Sequence, residues 1–167
     1  VAPAGSLTLA GTGYAYTGDT TLKSGTLIFH GTAVHPAAAA SVDLADGTTL
    51  DVSGSSTPFL QVNNRLKGDG TFNIIGDVNL RPPSTTELKL NKSGSVLTND
   101  MVNVTGLIQF NGTLQLDITA SPALTESDSF HIFNAAVGYA FGFTNVVPAT
   151  PGSGLAWNTT TLATDGI

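Results

Sequence analysis

Few residues of this chain belong to the types that carry out catalysis. Its 167 residues include no cysteine, which excludes disulfides, thiolate zinc sites and cysteine nucleophiles. The histidines His30, His35 and His131 lack the spacing of a metal-binding motif. The two glutamates, Glu87 and Glu126, stand in no recognisable pair of the kind that glycoside hydrolysis needs. The sequence predicts a protein that is not an enzyme, with no catalytic residues, no metal site and no cofactor.

Aspartates near predicted turns make calcium the best metal candidate. Asp43, Asp46, Asp69, Asp77 and Asp100 all lie at or beside such turns. However, the chain has no Asp-x-Asp-x-Asp loop and no nine-residue Gly-Asp calcium repeat. The favoured interpretation is that these carboxylates cap turns by accepting hydrogen bonds from nearby backbone N–H groups.

Two tyrosines are the strongest candidates for a binding site. Tyr14 and Tyr16 are two residues apart, so on a strand they share one face. They lie among Gly and Thr rather than among apolar residues, and such an aromatic platform suits stacking against sugar rings. The competing interpretation is that they shield the first strand of the fold as part of an edge strand.

The other clustered aromatic residues are predicted to lie in the core. Trp157 alternates with Leu155, which indicates burial with a terminal strand. Tyr139, Phe141 and Phe143 also alternate, so all three are expected on one buried face.

Charge argues against one class of partner, and hydropathy against another. The formal net charge is −6, and the six Lys and Arg residues are scattered along the chain. No basic stripe is present to neutralise phosphates, so nucleic-acid binding is not expected. No apolar run approaches the roughly 18–20 residues of a membrane helix, so membrane insertion is not expected either.

A short unit recurs along the first two thirds of the chain. Each copy is a Gly, one or two small polar residues, and then alternating apolar positions, a pattern typical of a strand with one buried face. The glycines that open successive copies are 20, 22, 23, 24 and 18 residues apart, at positions 5, 25, 47, 70, 94 and 112.

A repeat of strands and turns can be built in two ways. In an antiparallel β-sandwich, neighbouring strands pair and no repeat is required. In a parallel β-helix, or β-solenoid, each period forms one rung and equivalent strands stack, which explains the recurrence and is favoured. The recurring asparagines Asn91, Asn103, Asn111 and Asn158 are then expected at equivalent corners, where such side chains can stack into a ladder. Residues 1–116 are predicted to form solenoid rungs, and residues 117–167 to form terminal rungs and a β-rich C-terminal cap, within one continuous domain.

These segments resemble the autotransporter-associated β-strand repeat of bacterial surface and secreted proteins. The sequence YTGDTTLKSGTL at 16–27 is similar to the Gly-Gly-Thr-Leu-like corner and strand of that family. Residues 100–106 and 112–116 resemble the strands that close such arrays, as do DSFHIF at 128–133 and the ending GLAWNTTTLATDG at 154–166. The resemblance implies a right-handed parallel β-helix that is exported, and it implies no catalytic residues.

The expected function is therefore structural or adhesive. The chain is predicted to be a non-catalytic β-solenoid module of a secreted or cell-surface bacterial protein. Its expected partners are neighbouring repeats or identical chains that stack on its ends. The alternative is a carbohydrate-binding module of a secreted polysaccharide-degrading protein, with Tyr14 and Tyr16 as the site and polysaccharide as the partner.

Overall fold

The computed structural model describes residues 5–12, 18–32 and 40–167, which form three β-sheets. The strands of sheet A, in spatial order, are β1 (Ser6–Thr12), β3 (Thr26–Thr32), β5 (Thr49–Ser55), β8 (Thr71–Ile75), β12 (Met101–Val104) and β15 (Phe133–Ala135). Those of sheet B are β2 (Thr20–Leu22), β4 (Ser41–Ala45), β7 (Arg65–Asp69), β10 (Thr85–Ser93), β14 (Thr113–Ser121) and β17 (Asn145–Val147), with β11 (Val96–Asn99) beside β10. Those of sheet C are β6 (Phe59–Val62), β9 (Asp77–Leu80), β13 (Leu107–Phe110) and β16 (Gly138–Phe141). One short helix, α1 (Leu162–Asp165), follows in this described part of the chain.

The fold is all-β with parallel sheets. Every described strand pair is parallel except β10 with β11. From β4 onward the chain visits sheet B, then A, then C, and repeats that order, with β11 as the one interruption. Parallel pairing needs crossover connections, so the antiparallel sandwich that the sequence left as an alternative is wrong.

We call one passage of the chain through the three sheets a circuit. Its length is the number of residues between two paired positions in neighbouring strands of one sheet. In sheet A, Ser6 pairs with Thr26 and Thr26 with Thr49, which are offsets of 20 and 23 residues. Further along, Thr71 pairs with Met101, an offset of 30 residues. The circuit therefore lengthens toward the C-terminus, because longer loops are inserted between strands whose pairing continues.

The Gly-Thr-apolar unit occurs at three different places in the fold and does not mark one phase of a repeat. Its first four copies lie in β1, β3, β5 and β8 of sheet A. The copy at Gly94 instead forms β11, which folds back antiparallel on β10. The copy at Gly112 opens β14 of sheet B, where Thr113 pairs with Thr85. Gly112 has φ of 69°, and a Cβ there would collide with the carbonyl oxygen of Ser84, so this corner also requires glycine.

The core is built from apolar side chains that stack in rows along the sheets. In each strand alternate residues point inward, and the parallel register places each inward residue beside its equivalent in the next strand. One such row of sheet A runs Leu7, Leu27, Leu50, Ile74 and Val104. Leu50 and Ile74 are fully buried, and each side chain buried in this way contributes about 1.5–3 kcal/mol.

A side-chain ladder runs along the outer face of sheet A. Asn73, Asn103 and Asn134 occupy equivalent positions of β8, β12 and β15. The Nδ2 of Asn103 donates to Asn73 Oδ1 at 3.2 Å, and the Nδ2 of Asn134 donates to Asn103 Oδ1 at 3.3 Å. An asparagine ladder is therefore present, but it lies on strands and not at the corners where the sequence predicted one, and Asn103 is its one member among the asparagines named from the sequence.

The C-terminal segment continues all three sheets. Strand β14 runs through the predicted boundary at residue 116, and β15, β16 and β17 add one strand to each sheet. Residues 129–132 and 155–158, which were expected to lie in strands, form none, and β15 begins only at Phe133. Phe110, Phe133, Tyr139 and Phe143 pack together at this end, with ring centroids 4.9–5.9 Å apart.

A loop at this end is anchored by a buried ion pair. Lys92 Nζ of β10 lies 2.6 Å from Asp128 Oδ2, and the two side chains are 7% and 12% exposed. The backbone N–H of Thr125 donates to the same carboxylate oxygen at 2.7 Å. The hydrogen bond from Lys92, followed by that from Thr125, lowers the pKa of Asp128.

Replacing Asp128 is expected to remove a pH-dependent part of the stability. The lowered pKa means that the pair stabilises the fold above the ordinary aspartate pKa of about 3.9, and that this contribution is lost as pH falls through the lower pKa of the folded state. Urea unfolding from pH 7 to pH 2.5 should show Asp128→Asn to be less stable than the unmodified protein at neutral pH, with the difference vanishing in acid. Asp117 is exposed, and its side chain forms no hydrogen bond or ion pair with the described residues, so Asp117→Asn gives the control. A difference between Asp128→Asn and the unmodified protein that stays constant over the whole pH range would contradict the ion-pair account.

A second prediction concerns a polar atom inside the core. Thr86 is 1% exposed, its register partners are Leu66 and Leu114, and its Oγ1 has no hydrogen-bond partner in the described chain. Thr86→Val should raise the free energy of unfolding by about 1 kcal/mol, because a methyl group replaces an unpaired hydroxyl at nearly equal volume. Exposed Thr119→Val on β14 should change it by less than about 0.5 kcal/mol. Destabilisation by Thr86→Val in chemical denaturation would show that the hydroxyl is paired in solution.

Candidate functional site

The predicted aromatic platform lies outside the described residues. Tyr14 and Tyr16 fall within residues 13–17, and His35 falls within residues 33–39, so their predictions are unchanged by the structure. The five aspartates that the sequence singled out all lie within the described residues.

The aspartates at the corners cap the backbone of neighbouring strands. Asp46 Oδ1 accepts the N–H of Thr71 at 2.7 Å, and Asp77 Oδ1 accepts that of Leu107 at 2.8 Å. Each bond joins two residues that are 25 or 30 positions apart, so each carboxylate ties one circuit of the chain to the next. The carboxylates do accept backbone N–H groups, as the sequence predicted, but these belong to the neighbouring strand and not to the turn in which the aspartate lies.

Asp100 ties two strands at once. It is 4% exposed, and its carboxylate oxygens accept the N–H groups of Gly70 and Lys89, each at 2.7 Å. Asp69 is exposed and pairs with the Lys89 ammonium at 2.6 Å, and that hydrogen bond lowers the pKa of Asp69. Within the described residues no three His, Asp or Glu side chains are grouped as a metal ion requires.

One cavity lies at the C-terminal end of the core. It has a volume of about 580 Å³ and is lined by Leu116, Phe130, Trp157 and Leu162, among other residues. Trp157 is half-buried in an irregular segment, and its indole N–H donates to the carbonyl of Pro148 at 2.7 Å. Trp157 is thus packed against the core as predicted, but from a loop and not from a strand.

A smaller cleft lies on the outer face of sheet C. Its volume is about 360 Å³, and its lining includes Asn79, Arg81, Gln109, Asn111 and Phe141. Register explains the grouping. Asn79 of β9 pairs with Gln109 of β13, and the outward positions that follow, two residues later, are Arg81 and Asn111. Adjacent strands are about 4.8 Å apart, so polar side chains from neighbouring strands stand side by side on this face.

Phe141 departs from the inward row to which its register assigns it. It pairs with the fully buried Phe110, yet it is 73% exposed. Its φ is 63°, which is rare for a bulky residue and costs about 1–3 kcal/mol. Phe143 packs against Phe110 instead, with ring centroids 4.9 Å apart. The prediction that Phe141 lies in the core is wrong, because a left-handed residue breaks the period-two alternation at the end of β16.

Polar groups around Phe141 are oriented toward the cleft or lack partners. Asn111 Oδ1 accepts the N–H of Gly112 at 3.0 Å and the hydroxyl of Thr144 at 3.2 Å, which leaves its Nδ2 as the free donor. The side chains of Asn79 and Gln109 form no hydrogen bond with the described residues.

Arg81 differs from most Lys and Arg residues of this protein in its lack of an ion pair with the described residues. Four of the six Lys and Arg residues form ion pairs across neighbouring strands or loops: Arg65–Asp43, Lys67–Glu87, Lys89–Asp69 and Lys92–Asp128. Arg81 is exposed and forms no ion pair with the described residues, so its guanidinium is available to an anion in the cleft.

Comparison with known proteins identifies no relative. No protein-family model, no curated protein and no solved structure matches this chain. The resemblance to the autotransporter-associated repeat stays a prediction. Among the described residues, no helix has the length and apolar character needed to cross a bilayer.

The strain at Phe141 can be measured directly. Phe141→Gly should raise the free energy of unfolding by about 0.5–1 kcal/mol, because glycine adopts the positive φ without a Cβ penalty. Phe141→Ala keeps the Cβ and the left-handed backbone, so it should change stability by less than about 0.5 kcal/mol. If chemical denaturation finds the glycine variant less stable than the alanine variant, the positive φ does not exist in solution.

Proposed function

We propose that this chain is a right-handed parallel β-helix that serves as a non-catalytic structural and adhesive module of a secreted or cell-surface protein. The order in which the chain visits sheets B, A and C supports a single solenoid path. Crossovers between parallel strands of one sheet are right-handed in about 98% of cases, which supports the handedness.

The observation that favours a structural role is that bonds between successive circuits recur along the fold. Asp46, Asp77 and Asp100 each join one circuit to the next through a backbone N–H, and the asparagine ladder does the same on the face of sheet A. Because hydrogen bonds join successive circuits both at the corners and on the face of sheet A, the stack of circuits is expected to resist bending. Such a stack can act through length and stiffness, without a cofactor.

The N-terminal edge of sheet A is the surface on which such a module would join its neighbours. Strand β1 pairs with β3 on one side, and no other described strand pairs with its free side. Leu7 belongs to the inward row of sheet A but is 59% exposed, since nothing among the described residues covers it. A further repeat, or β1 of an identical chain, would pair with this edge and bury Leu7.

Self-association at β1 tests the proposal. Sedimentation velocity over a range of concentrations should show a concentration-dependent dimer. Its Kd should rise at least tenfold in Leu7→Asp, because a charge would replace an apolar contact at the shared edge. Val96 on β11 is 61% exposed and lies away from this edge, so Val96→Asp should leave the Kd unchanged. A protein that stays monomeric at all concentrations, or two variants that weaken association equally, would contradict stacking through β1.

A further inference from the structure

We propose that the cleft on the outer face of sheet C binds an acidic polysaccharide, with Phe141 stacking on a sugar ring and Arg81 pairing with a uronate carboxylate. The role in length and stiffness does not require this site, so the two proposals stand or fall separately. The proposed site also differs from the one predicted at Tyr14 and Tyr16.

Phe141 gives the cleft its aromatic surface. A phenyl ring that is 73% exposed and held by a left-handed backbone is not explained by packing, because Phe143 already fills the place beside Phe110. Strained residues that persist in folded proteins cluster at ligand sites. An exposed ring beside hydrogen-bonding groups matches the two needs of a sugar, an apolar face and a rim of hydroxyls.

The amides of the cleft supply the hydrogen-bonding groups. Asn79 and Gln109 each offer a donor and an acceptor, and Asn111 offers its Nδ2 because its Oδ1 is already bonded. Strand pairing holds Asn79 beside Gln109 at about the spacing of neighbouring strands. Hydroxyls on a saccharide both donate and accept, so mixed amide groups suit them better than a row of like charges would.

Arg81 determines the charge of the occupant. It is a cation without an ion-pair partner in the described chain, on a protein whose net charge is −6. A planar guanidinium recognises a carboxylate through two parallel hydrogen bonds. Charge complementarity at this cleft therefore favours a uronate-bearing polysaccharide over a neutral one.

Calorimetric titration of the whole chain tests the site, with oligogalacturonate and oligomannuronate as acidic probes and their carboxyl-reduced forms as neutral probes. The acidic forms should bind at least about tenfold more tightly, and added salt should narrow that difference. Phe141→Ala should weaken binding of all probes by about tenfold, while Phe141→Tyr should retain it. Arg81→Gln should remove the preference for the acidic forms but keep the neutral affinity.

Three outcomes would overturn the proposal. The first is that neither acidic probe binds at millimolar concentration. The second is that binding survives both Phe141→Ala and Arg81→Gln but is lost in the double variant Tyr14→Ala/Tyr16→Ala, which would place the site at the predicted tyrosines. The third is that Val96→Ala, an exposed apolar position on β11, weakens binding as much as Phe141→Ala does. Circular dichroism and urea midpoints of each variant separate lost binding from lost folding.

Discussion

The parallel register between successive strands is the constraint on which the other features of this structure depend. In the first half of β3 and β5, Leu27 is aligned with Leu50, and the residues on either side of this pair also meet their equivalents; after Ile28 the register shifts by one residue at a bulge. A slip of one residue would turn the apolar row to solvent and bury Thr and Asp side chains. The loops between strands are free to vary, which is why the circuit lengthens from 20 to about 31 residues while the sheets continue.

The corners hold this register in place. Asp46, Asp77 and Asp100 are acceptors for backbone N–H groups that would otherwise be unpaired where a strand ends and the chain turns. Because the bonds join residues 25 to 30 positions apart, each one fixes two circuits relative to one another. Three of the aspartates that suggested calcium from the sequence, Asp46, Asp77 and Asp100, therefore bond to the backbone of the chain itself.

The sequence was enough to predict that the chain forms β-strands and which residues of each strand are buried, because both depend on the local alternation of apolar and polar residues. Leu50 and Val52 alternate with polar residues, and both are fully buried. The position of each copy could not be predicted, since Gly94 and Gly112 open strands that look alike in sequence but lie in different arrangements. Which corner a glycine serves is decided by pairing with residues about 20 to 30 positions away. The exposure of Phe141 could not be predicted for a related reason. Side chains alternate between the two faces of a strand only where φ is negative, and the φ of Phe141 is positive.

The same constraint explains why a binding site would sit on the outer face of a sheet. Stacking fixes the inward rows completely, so a change at Ile108 or Phe110 disturbs two neighbouring circuits at once. Residues in the outward rows need only be compatible with a β-strand, so the types of residue in these rows can differ from sheet to sheet. In the outward row of sheet A, asparagines bond to one another: Asn103 donates a hydrogen bond to Asn73 and accepts one from Asn134. On sheet C, the side chains of Asn79 and Gln109 form no hydrogen bond with the described residues and lie in the same cleft as the exposed ring of Phe141, which is why we propose the binding site there.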